Sequence, residues 1–108
     1  MSKEYCEYII DQLSDWGNVT SKKMFGGYGL YYRGKIFALI IEEILYFKVD
    51  ASNKTDYENA DSTQFSYQAK GKTIQVSYWQ VPIDVLDDRE ELANWAEKAY
   101  LVSLNNKR

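Results

Sequence analysis

Between residues 19 and 49 three short breaks, Gly26-Gly27, Arg33-Gly34-Lys35 and Glu42-Glu43, divide the chain into four β-favouring segments. That spacing is the strongest constraint on the fold. Parallel neighbours need crossovers of about a dozen residues or more, so segments this close can pair only antiparallel. Residues 19–25 are the first predicted strand. Residues 28–33 are the second, with Tyr28, Leu30 and Tyr32 on one face. Residues 36–41, Ile36-Phe37-Ala38-Leu39-Ile40-Ile41, are apolar on both faces. They are expected to lie centrally and to be covered twice. The second cover comes either from the terminal helices with a curled sheet, or from a second copy of the chain, which makes a homodimer an expected arrangement. Residues 44–49 are the fourth strand, and Lys48 within it is expected to reach water or an acid.

The flanking segments follow a different period. Over residues 3–16, Cys6, Ile9, Ile10, Leu13 and Trp16 recur at helical spacing. Ser2 is the expected cap and Gly17 the stop. Residues 50–62 are polar and hold a short predicted helix near 53–59, capped by Ser52 or Asp50 and anchored by Tyr57. A hairpin follows, turning at Lys70-Gly71-Lys72. Phe65, Tyr67 and Ala69 share one face of its first strand, and Ile74, Val76 and Tyr78 one face of its second. Pro82, with no amide hydrogen to donate, ends the pairing. Asp88 is placed to cap a final helix whose stripe is Leu92, Trp95, Ala96, Ala99 and Val102. Residues 103–108 are expected to fray. The order α-β4-α-β2-α makes an α+β domain, with an antiparallel sheet of about six strands and terminal helices packed on it. At 108 residues the chain is read as a single domain over 1–108.

Composition narrows the chemistry. The chain has no histidine, so neither a Ser-His-Asp nor a Cys-His pair can form within it. Its one cysteine can make no internal disulfide and no thiolate metal cluster. Cys6 falls on the apolar helical stripe and reads as a small buried hydrophobe. The carboxylates of residues 84–91 lack the spacing of a calcium loop and suit helix capping instead. No catalytic residue, cofactor or metal is therefore expected. The N-terminal residues Met1-Ser2-Lys3-Glu4-Tyr5 show no apolar export signal, and no run approaches the ~18 residues of a membrane span. With the lone cysteine, this favours the cytoplasm.

Two segments invite a functional reading. In Phe25-Gly26-Gly27-Tyr28-Gly29 the glycines are followed by a strand, not by the helix that a phosphate cradle needs, so they read as turn and packing positions. The second is the acid-free stretch between Asp15 and Glu42. There Lys22, Lys23, Arg33 and Lys35 lie among Phe25, Tyr28, Tyr31 and Tyr32. Lysines beside stacking aromatics can hold single-stranded nucleic acid. The net charge of −3 opposes phosphate approach, so direct nucleic-acid binding is the alternative rather than the leading reading. A protein-contact patch and an ordinary solvated face remain open for the same residues. Trp16, Trp79 and Trp95 read as core or interface anchors.

Several motifs occur together and in order: Met24-Phe25-Gly26-Gly27-Tyr28-Gly29-Leu30-Tyr31, Gly34-Lys35-Ile36-Phe37-Ala38-Leu39 and Leu45-Tyr46-Phe47-Lys48-Val49-Asp50. After them come Phe65-Ser66-Tyr67, Val76-Ser77-Tyr78-Trp79-Gln80-Val81-Pro82 and Leu92-Ala93-Asn94-Trp95-Ala96-Glu97-Lys98-Ala99. Over roughly residues 10–100 this series resembles the TfoX (Sxy) N-terminal domain family. The resemblance implies a regulator of competence for DNA uptake, acting with a transcription regulator such as the cyclic-AMP receptor protein. It also implies a fold similar to type III secretion chaperones, which are dimeric protein binders. Full-length members continue into a separate C-terminal helical domain, which this sequence does not include. The family supplies no catalytic residues to carry over. The expected function is a non-enzymatic cytoplasmic protein-interaction module.

Overall fold

The computed structural model describes residues 3–24 and 26–105. The elements are α1 (Lys3–Gln12), β1 (Val19–Met24), β2 (Gly27–Tyr32), β3 (Lys35–Ile41), β4 (Ile44–Lys48), α2 (Lys54–Asn59), β5 (Gln64–Ala69), β6 (Lys72–Gln80), α3 (Ile83–Leu86) and α4 (Arg89–Asn105). The six strands form one sheet in the order β1-β2-β3-β4-β6-β5, and every neighbouring pair is antiparallel. The α+β order is as expected, with one added helical turn, α3, starting just after Pro82.

Tight turns enforce this ladder. In Arg33-Gly34, Glu42-Glu43 and Lys70-Gly71 both residues have positive φ, between 52° and 81°. Such mirror-image turns match the right-handed twist of the strands they join. Glu42-Glu43 adopts this conformation without the glycine that would make it easy.

The helices pack on one face. Cys6, Ile9 and Leu13 from the N-terminal segment and Leu92, Ala96 and Ala99 from α4 meet Leu30, Phe37, Ala38, Ile40, Leu45 and Phe47 of the sheet in one buried core. Arg89 clamps the two helical segments together. It donates to the Asp15 carboxylate (3.0 Å), the Gln12 side-chain oxygen (3.2 Å), the Asp11 carbonyl (3.0 Å) and Ser14 Oγ (3.0 Å). The guanidinium in turn holds the Asp15 carboxyl below its usual range.

Several local expectations change. The first α-helix ends at Gln12, and residues 13–16 continue as hydrogen-bonded turns. The expected cap at Ser2, and Phe25, lie outside the described residues. The cap of α2 is Asn53, not Ser52 or Asp50. Asp50 instead accepts from the Ser52 amide and hydroxyl, while the Asn53 side chain accepts from the Asp50 amide (2.9 Å) and donates to the Lys48 carbonyl (3.2 Å). Asp88 does cap α4, accepting from the amides of Glu90 and Glu91. Residues 103–105, expected to fray, are helical because Val102 and Ser103 are buried against the body. Trp95 is half-buried rather than enclosed, its ring set edge-on to the fully buried Tyr57 at 4.7 Å. No described helix is long and apolar enough to cross a membrane.

Candidate functional site

The face of the sheet turned away from the helices carries the candidate site, and a register shift shapes it. Leu30 pairs with Ala38, but Tyr31 pairs with Ile36, so Phe37 is an extra residue in β3. A bulge places two successive side chains on the same side. Phe37 and Ala38 therefore both join the helix-side core, together with Ile40. Ile36, Leu39 and Ile41 face the other way and line a groove of about 530 Å³ with Met24, Phe65, Tyr67, Val76 and Tyr78. These lining residues come from strands near both ends of the sheet order, β1 at one side and β5–β6 at the other. The sheet is thus curled, and its own edges shelter the central strand. Leu39, on the groove floor, is only 8% exposed. This is the curled-sheet form of the second cover expected from the sequence.

Glycines allow the floor to form. A Cβ on Gly29 would stand 2.9 Å from Ile36 Cδ1 and 3.0 Å from Met24 Cε, both ends of flexible side chains. A Cβ on Gly27 would strike the Ile40 carbonyl oxygen, a backbone atom. The glycine-rich stretch is thus occupied by packing. Gly26, with φ of +78°, makes the turn, whereas Gly27 belongs to β2 rather than to the break. Aromatic side chains build the β5 wall, with the rings of Tyr46 and Phe65 at 4.8 Å and those of Phe65 and Tyr67 at 6.4 Å.

Two lysine–tyrosine pairs stand on this face. Lys22 Nζ lies 5.3 Å from the Tyr31 ring centre, and Lys48 Nζ lies 4.9 Å from that of Tyr78. Tyr31 pairs with Ile36 of the groove floor, and Lys48 pairs with Tyr78 of the groove wall. Lys48 is half-buried, makes no ion pair among the described residues, and is pushed below its usual pKa by that burial. It rests on a ring and reaches no acid. Burial pushes the Tyr78 hydroxyl up to about 12, and Tyr31 adds to the rise.

This shift carries a prediction. Above pH 10 an unfolded chain releases its tyrosine protons, whereas Tyr78 keeps its proton until about pH 12. The folded state then binds more protons than the unfolded one, so stability falls as pH rises through that window. Tyr57 acts in the same direction, because burial, with Asp56 nearby, pushes its hydroxyl up. Urea denaturation at pH 9 and pH 11 should show the fall, and Tyr78→Phe should make it shallower.

The four cations singled out in the sequence are not gathered on one face. Lys22 is on the groove side over Tyr31. Lys23, its strand neighbour opposite Tyr28, projects to the other side. Arg33 sits in the β2–β3 turn, 5.1 Å from the Tyr32 ring centre. Lys35 opens β3 and is exposed. The cation that shares the face of Lys22 is Lys48, set over the ring of Tyr78 on the groove wall. Its place on an otherwise apolar strand was the sequence signal for it. Elsewhere, burial pushes the Cys6 thiol up, which leaves it protonated and inert. Trp79 lies tilted and Trp95 edge-on against Tyr57, and Trp16 packs edge-on to Phe37 at 5.2 Å, so the three tryptophans are spent on packing. A second depression of about 320 Å³ lies along residues 60–63, Gln80 and residues 82–84, and among its lining residues only Asp61 and Asp84 are ionisable.

The family model for the TfoX N-terminal domain matches residues 11–103. No curated protein matches the chain.

Proposed function

The chain belongs to the TfoX N-terminal domain family, and from that premise we propose that it is a non-enzymatic regulatory module that acts in the cytoplasm by binding a protein partner. The partner class is a transcription regulator such as the cyclic-AMP receptor protein, and the process is competence for DNA uptake. Recognition proceeds by strand addition at the free edge of β5.

The observation that carries this reading is the contrast between the two sheet edges. Exposed strand edges invite pairing with another chain, and lysines on an edge discourage it. The β1 edge, Val19–Met24, carries Lys22 and Lys23. The β5 edge, Gln64–Ala69, carries no charge at all and presents Tyr67 at 48% exposure. A peptide strand laid there gains main-chain hydrogen bonds, with adjacent side chains supplying selectivity. Dispersal of the four cations, with a net charge of −3, weighs against phosphate binding.

Capture of purified cyclic-AMP receptor protein by the immobilised domain tests the proposal. The S66K/Q68K variant, which places on β5 the kind of guard that β1 carries, should fold like the parent and lose at least tenfold in affinity. The K22S/K23S/R33S/K35S variant should retain capture. Equal capture by a well-folded S66K/Q68K variant would exclude the β5 edge. A mobility shift on DNA that weakens steeply with salt, without capture of the protein, would establish the nucleic-acid reading instead.

A further inference from the structure

The groove on the open sheet face has a composition that the edge-pairing function does not use. Its floor and walls are carbon: Ile36, Leu39, Ile41, Met24, Phe65 and Val76, with Tyr67 and Tyr78 presenting rings. The strand backbones beneath are already paired with each other, so the floor offers few amide or carbonyl partners. An extended peptide lying there would leave its own amides unpaired, and a buried unpaired amide is costly. A hydrocarbon chain has none to satisfy. The volume of about 530 Å³ falls within the range of roughly 300–1,000 Å³ typical of small-molecule sites.

The charge is as one-sided as the wall is apolar. Tyr31, opposite Ile36 of the groove floor, and Tyr78, on the groove wall, each carry a lysine ammonium beside the ring. Lys48 is half-buried, and no carboxylate of the described residues pairs with it. A cation in that position lacks only a counter-charge, and the tyrosines beside the two lysines carry phenol hydroxyls able to donate hydrogen bonds to it.

We propose that this groove binds a free single-chain amphiphile with a carboxylate headgroup, the alkyl chain lying over Leu39 and the carboxylate held by Lys48 and Lys22 beside the hydroxyls of Tyr31 and Tyr78. Headgroup sign and chain length are the two determinants. Each buried methylene contributes about 0.8 kcal/mol, so two more methylenes should tighten binding by roughly tenfold until the groove is full.

Titration calorimetry on the full chain with octanoate, decanoate and dodecanoate, each below its micellar concentration, tests chain length. Dodecanol and dodecyltrimethylammonium at the same chain length test the headgroup. Saturable binding is expected to rise along the series, with dodecanoate at least tenfold tighter than the alcohol and the ammonium compound not bound. Methyl NMR locates the ligand, with shifts expected at Ile36, Leu39, Ile41 and Val76. Lys48→Met should reduce dodecanoate affinity about tenfold and leave dodecanol unchanged, and Lys22→Ser, at an exposed position, should act in the same direction. Equal binding of all three headgroups, methyl shifts confined to the helix side, or binding only to anionic vesicles and not to monomeric dodecanoate would each overturn the proposal. So would sedimentation showing a stable dimer that dodecanoate neither enters nor dissociates, because a second copy would then be the occupant.

Discussion

Phe37→Ala is expected to lower the stability of this domain by about 3–5 kcal/mol, the usual cost of emptying a fully buried phenylalanine site. Phe37 is 0% exposed and meets Trp16 edge-on at 5.2 Å and Phe47 at 5.8 Å. It joins the residues that follow α1 to the central strands, so its loss leaves a cavity between rigid elements that cannot easily collapse. A domain of this size has about 5–15 kcal/mol in total. The melting temperature should fall by roughly 15–30 °C. Thermal unfolding followed by circular dichroism checks this. A fall of only a few degrees would mean that Phe37 is not at the helix–sheet junction, and the register shift that puts it there would be wrong. Because Phe37 lies on the side opposite the groove, a variant that still folds at low temperature should keep an intact groove face.

Gly27→Ala is expected to cost about 3 kcal/mol or more, at the upper end of overpacking penalties. The added Cβ would collide with the Ile40 carbonyl oxygen, and that oxygen is part of the backbone of β3. A backbone atom cannot swing aside as a side chain does, so the β2–β3 ladder must part locally. Gly29→Ala is the matched control. Its Cβ would meet only Ile36 Cδ1 and the end of Met24, which can rotate away, so a loss below about 1 kcal/mol is expected. Urea denaturation of both variants measures the difference. If the two behaved alike, the glycine at 27 would be serving conformation rather than close packing.

Much of the fold was legible because its determinants are local. Breaks too short for crossovers made the strands antiparallel. The i, i+4, i+7 spacing of Leu92, Ala96 and Ala99 named the buried face of α4, and the structure buries all three completely. Asp88 could be read as a cap because capping depends on residues only two or three positions away. The errors at the helix ends have the same origin in reverse. Residues 103–105 stay helical because of a distant contact surface, which no local propensity reports.

The candidate site was legible only in part. Alternation along β3 puts Ile36, Ala38 and Ile40 on one side and Phe37, Leu39 and Ile41 on the other. The bulge opposite Leu30 and Tyr31 exchanges Ile36 and Phe37 between the two sides. A one-residue shift of this kind leaves no mark in composition, because both residues are apolar and either face can accept them. The separation of Lys22 from Lys23 was already implied by their adjacency in a strand. Their contiguity in sequence with Arg33 and Lys35 obscured it.

The sequence by itself determined that strands joined by tight turns pair antiparallel, where the chain turns and which stripes are buried, since each depends on residues within a few positions of one another. Only the tertiary structure decided that β6 enters beside β4 and that the sheet curls far enough for Met24 of β1 and Tyr67 of β5 to line one groove. Tertiary structure also set Lys22 over Tyr31 and Lys48 over Tyr78, pairings between residues 9 and 30 positions apart in the chain. Twist accumulated over six strands sets that convergence, and it is a property of the assembled sheet rather than of any segment in it.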